Sequence, residues 1–63
     1  MEMMTVLFKK PLSREESDKV TLLIGFHKGA SVELDEQRRV VGATFAVEDA
    51  KDVWQYVGGY VVD

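Results

Sequence analysis

The sequence predicts one small α+β domain, an antiparallel sheet of four strands with two helices on one of its faces. Three observations carry that expectation. A strand pattern over residues 40–47 gives way to a helical stripe from Glu48, that stripe ends at Gly58-Gly59, and a capping signature opens an earlier helix at Ser13.

The first strand is read at Met3–Phe8, where β-branched and aromatic residues gather before Lys9-Lys10-Pro11; proline has no N–H to give to a central ladder. Ser13-Arg-Glu-Glu16 has the form of a capping box, so a helix is expected from about Arg14. Within it Val20, Leu23, Ile24 and His27 recur at helical spacing, and Gly29 stands where a left-handed cap would end it. A strand over residues 20–26 is the alternative. Val20, Leu22, Ile24 and Phe26 alternate, and Thr21, Ile24 and Gly25 weaken a helix, so the domain could instead be a β-meander with a C-terminal helix.

Ser31–Asp35, a charged turn at residues 36–39, and Val40–Val47 read as a β-hairpin. Strict alternation turns Val41, Ala43, Phe45 and Val47 toward the helices and leaves Val40, Gly42, Thr44 and Ala46 on the other face. From Glu48 the apolar period becomes helical, with Ala50, Val53, Trp54 and Val57 in one stripe; Trp54 is assigned to the core and Tyr56 to its rim. Glu48 and Asp49 suit the first turn, where the helix dipole favours negative charge. Gly58-Gly59 ends this helix through a left-handed backbone, and Tyr60–Val62 closes the sheet as an edge strand. The resulting order, β-α-β-β-α-β, is the ferredoxin-like one. It leaves the second sheet face open, with Leu7, Val40 and Thr44 giving it more apolar character than a solvated face needs.

Sixty-three residues make one domain near the lower limit of size, able to hide only about 60% of its unfolded surface. There is no cysteine to reinforce the core, which points to a reducing, cytoplasmic setting. The lysines follow the N-terminal apolar run, whereas a secretory signal has its charge first, and no apolar stretch approaches the roughly 20 residues that cross a bilayer. A net charge of −3, with basic residues only in pairs and singly, lacks the basic stripe of a nucleic-acid binder. Chemistry is equally sparse. The one histidine, His27, has Ser13, Ser17 and Ser31 as possible nucleophiles, but these read as a cap, a helix-surface residue and the start of a strand. No ligand set for zinc or calcium and no phosphate loop is present, so neither enzyme activity nor a cofactor or metal is expected.

Several stretches resemble the subtilisin-propeptide type of protease inhibitor domain. Val6-Leu-Phe-Lys9 is similar to its opening strand, Ser13-x-x-Glu16 to its first helix start, and Lys28-Gly-Ala30 to the turn before its second strand. Val41–Val47 followed by Glu48-Asp-Ala50 resembles the third strand running into the second helix, and Tyr60-Val-Val-Asp63 the final strand. The resemblance implies a non-catalytic domain whose open sheet face docks on two surface helices of a subtilisin-type protease. A family tail that enters the active-site cleft has no counterpart before the sequence stops at Asp63, so the likeness is carried to docking alone. Acidic groups can meet the N–H donors at a partner's helix N-termini, for which Glu33, Asp35 and Glu36 are candidates. With Leu7, Val40 and Thr44 they make the expected partner-binding set. The alternative is a small intracellular or phage-type domain that uses the same face to form a homodimer.

Overall fold

A computed structural model describes residues 2–61 of the chain. Strand β1 runs Met3–Leu7, helix α1 Arg14–Ile24, strand β2 Ser31–Leu34 and strand β3 Val40–Ala46; a 3-10 turn at Val47–Asp49 leads into helix α2, Ala50–Val57. The α+β class holds, but among the described residues the sheet has three strands and not four, in the order β1-β3-β2 and antiparallel throughout. The expected fourth strand at Tyr60–Val62 is reduced, among the described residues, to a single bridge between Phe8 and Val61; Val62 lies outside them. A backbone bond from Lys9 N–H to Tyr60 C=O at 2.8 Å and side-chain contacts hold this segment. The Tyr60 ring packs 5.8 Å from that of Phe8, and its hydroxyl donates to Glu16 at 3.0 Å.

Helix α1 forms because its first turn is closed locally. The Ser13 hydroxyl accepts from Glu16 N–H at 3.1 Å, while Glu16 Oε1 accepts from Ser13 N–H at 3.3 Å, which completes the capping box. Residues 20–24 are therefore helical, and the meander alternative is not what the chain adopts. The helix ends earlier than Gly29, with Gly25 as its right-handed cap, and Gly29 supplies the positive φ of 79° in the turn that follows. Ser17, expected on the helix surface, is buried. Its hydroxyl accepts from Val40 N–H at 3.0 Å and donates to Leu12 C=O at 3.4 Å, pinning α1 to β3.

A bulge reorders the hairpin. Glu33 pairs with Gly42 but Leu34 pairs with Val40, so Val41 is an extra residue in β3 and the alternation of faces slips. Val40 thereby turns inward with Ala43 and Phe45, all at 0% exposure, while Val41 is half-buried. Val47 lies beyond the strand's end, in the 3-10 turn, and is exposed. Both helices share one core with the sheet, Val20 and Ile24 from α1 and Val53 and Val57 from α2 meeting Val6, Phe8 and Phe45. Trp54 is not part of it. The indole is 43% exposed and leans on Gly58, where an added Cβ would lie 3.0 Å from Trp54 Cδ1. Gly58 itself is right-handed, φ −55°, so the helix ends without the left-handed backbone expected of the glycine pair.

Candidate functional site: the open sheet face

Neighbouring residues of a strand point to opposite faces, so the face away from the core follows from the register. Thr5 lies opposite Thr44, which lies opposite Ser31; Leu7 lies opposite Gly42, which lies opposite Glu33; Met3 lies opposite Ala46. Of these residues Thr5, Ser31 and Glu33 are exposed, Leu7 is 61% exposed and Met3 42%, Thr44 is half-buried, and Gly42 and Ala46 are buried. Gly42 is what lets β1 and β3 approach so closely, since a Cβ there would stand 2.5 Å from Val6 C=O, and Leu7 folds across it.

A polar line crosses this face. Thr44 Oγ1 donates to Glu33 Oε1 at 3.0 Å, which uses its only proton, so Thr5 Oγ1 is the donor in its 2.8 Å bond to Thr44. The donors thus all point toward Glu33, whose second carboxylate oxygen makes no hydrogen bond among the described residues. Beside this line lie the aliphatic side chains of Leu7 and Met3.

Three of the six expected partner-binding residues, Leu7, Glu33 and Thr44, therefore share the open face. Asp35 and Glu36 lie past the end of β2, at the hairpin tip. Asp35 is occupied there: its Oδ1 accepts from Gln37 N–H at 2.9 Å and Arg39 N–H at 2.8 Å, and its C=O accepts from Arg38 N–H. Val40 is removed from the set, because the bulge buries it completely. Thr5 and Met3 were missed. Their register opposite Thr44 and Ala46 was not fixed by any local signal, though the alternation of β1 relative to Leu7 could have pointed to both.

The polar clusters elsewhere hold the fold. Glu16 has its carboxyl held below the usual range, first by the Ser13 backbone N–H, then by the Ser13 and Tyr60 hydroxyls. The same bond raises Tyr60 above the ordinary phenol value. His27 Nδ1 stands 3.8 Å from Asp49 Oδ2, and its ring stacks on Tyr56 at 6.2 Å. Burial raises the Tyr56 phenol, with Asp52 and Asp49 adding to the effect, and its hydroxyl has no partner among the described residues. Arg39 clasps the β1–α1 loop, Nε donating to Leu12 C=O at 2.6 Å and the guanidinium NH2 to Pro11 C=O at 3.2 Å. Among the described residues, a cavity of about 210 Å³ beside Lys10 and Tyr60 and one of about 240 Å³ between Arg14 and Arg38 are each smaller than the roughly 300 Å³ at which small-molecule pockets begin. Among the described residues no helix is long and apolar enough to cross a membrane.

What the fold and the face define is a small α+β domain in which, among the described residues, no helix is packed on one sheet face. Comparison with protein-family models, with curated proteins and with solved structures finds no match to the chain.

Proposed function

We propose that this domain is a non-catalytic protein-binding module that docks through the open face of its sheet. The observation that carries the reading is the uncovered pairing of Leu7, 61% exposed, and Met3 with the Thr5–Thr44–Glu33 hydrogen-bonded line. An apolar contact next to an oriented carboxylate is what a protein surface can match, with the first giving affinity and the second register. A cysteine-free chain of this kind suits a reducing, cytoplasmic setting.

The similarity of Lys28-Gly-Ala30 and of Val41–Val47 to the propeptide-type inhibitors makes a subtilisin-type protease the first partner to test. Calorimetric titration of the domain into such a protease, with its catalytic serine replaced so that nothing is digested, is expected to give saturable binding. Leu7→Lys is expected to weaken that binding at least ten-fold while leaving the circular dichroism spectrum unchanged, because the side chain touches solvent rather than the core. Absence of binding at high micromolar concentration would remove the protease as the partner.

A further inference from the structure

The two outer strands of the sheet, β1 and β2, present different edges. On β1, Lys9 N–H bonds Tyr60 C=O and Phe8 bridges Val61, so the chain itself lies along one end. Among the described residues nothing pairs with the outer side of β2. Its unpaired groups follow from alternation. Phe8 N–H on Val41 C=O at 2.9 Å turns the backbone groups of Val41, Ala43 and Phe45 toward β1, so those of Gly42 and Thr44 turn toward Glu33 and Ser31 of β2. Val32 and Leu34 then direct their N–H and C=O groups out of the sheet, and none of these is bonded among the described residues.

We infer that β2 pairs antiparallel with β2 of a second copy, centred on Val32. The side chains select that register. Centring on Glu33 would set two carboxylates directly opposite, and centring on Leu34 would set Glu33 against Asp35. Centring on Val32 sets Glu33 against Ser31 of the second copy, in the closer, non-hydrogen-bonded kind of pair. The Ser31 hydroxyl is exposed and makes no bond among the described residues, and Glu33 keeps one carboxylate oxygen free, so a donor meets an acceptor twice across the two-fold axis. Leu34, 52% exposed, faces Ala30 of the second copy. Beyond the strands, the end of β2 that follows Lys28 meets the end that precedes Glu36. Both residues are exposed and in no ion pair among the described residues. The basic residues of the hairpin tip are placed elsewhere, Arg39 on the β1–α1 loop and Arg38 at the cavity shared with Arg14. The axis stands perpendicular to the sheet, so both open faces lie on the same side of one continuous sheet. A docking surface there becomes bivalent, although the pairing does not depend on what docks.

Sedimentation of the wild-type domain from ~10 μM to ~1 mM, the range of a small interface, is expected to show monomer passing into dimer. Ser31→Glu sets like charges opposite each other twice and is expected to weaken the dimer roughly ten-fold, while Ser31→Lys tightens it roughly five-fold. Residue 31 is exposed, so neither change touches the core and the circular dichroism spectrum stays as it is. Exchange of the Val32 amide with deuterated water is expected to slow as the protein is concentrated, because only the dimer gives it an acceptor. A monomer at ~1 mM would overturn the pairing, as would a dimer that responds to neither substitution. A dimer broken by Leu7→Lys and untouched by Ser31→Glu would move self-association to the open face and overturn the edge.

Discussion

Arg38 stands in a backbone conformation that its side chain resists. The hairpin closes with Arg38 N–H on Asp35 C=O and Asp35 N–H on Arg39 C=O, both at 3.0 Å, and this geometry places Arg38 at φ 63°. A left-handed L-residue costs roughly 1–2 kcal/mol, against roughly 0.5–1 kcal/mol for the extra chain freedom of glycine. Arg38→Gly is therefore expected to stabilise the domain by about 1 kcal/mol, seen as a rise in Tm of roughly 5 °C. Titration gives a second residue-scale expectation. Glu16 has a lowered folded pKa, so its contribution is complete above the unfolded value of roughly 4.3 and is lost as pH falls through the folded one. Melting followed from pH 7 to pH 2 should show a decline below about pH 4.3, and Glu16→Gln should make that decline shallower.

Between elements, the contact that decides whether the sheet forms is the approach of β1 to β3 at Gly42. A Cβ there meets Val6 C=O at 2.5 Å, and the obstacle is backbone that cannot rotate away. Gly42→Ala is expected to cost about 2 kcal/mol, on the scale of an overpacked core, and a lower midpoint in urea unfolding checks it. Helix α1 was legible in the sequence because a capping box is a four-residue signal, and the helix starts where Ser13 and Glu16 place it. The hairpin was legible for the same reason, its turn lying between two alternating runs. The bulge at Val41 was not, because an extra residue leaves no mark in a run of small and β-branched residues, and a slip of one position moved Val40 from the open face to the core. Among the described residues the fourth strand shrinks to the Phe8–Val61 bridge and the Lys9–Tyr60 backbone bond, and the Tyr60 contacts with Phe8 and Glu16 that accompany them are invisible to a local pattern.

Seen as a whole, the molecule rests on very few large side chains. Phe45, Ile24, Val40, Val53 and Val57 are the largest that are fully buried, and a domain of 63 residues has a net stability of roughly 3–9 kcal/mol. Truncating a buried phenylalanine to alanine removes roughly 3–5 kcal/mol. Phe45→Ala is thus expected to leave a large unfolded fraction at 25 °C, read from the loss of a cooperative thermal transition. Trp54 lies outside this core at 43% exposure, so the helical stripe that included it identified the right helix and the wrong edge of it. Half of the candidate site was legible in the same sense. Strand alternation gave Leu7 and Thr44, the charge pattern gave Glu33, and the turn acids were separated from them only once Asp35 was seen to build its own hairpin.

The Val40 amide, bonded to a hydroxyl that is itself buried between helix and sheet, is isolated from solvent by both layers at once. Separation of α1 from β3 uncovers it. Its rate of exchange with deuterated water should consequently track the free energy of complete unfolding, while the Gln37 and Arg38 amides at the tip exchange many times faster. One backbone proton then serves as a built-in gauge of global stability, against which a partner on the opposite sheet face can be detected by the slowing it causes.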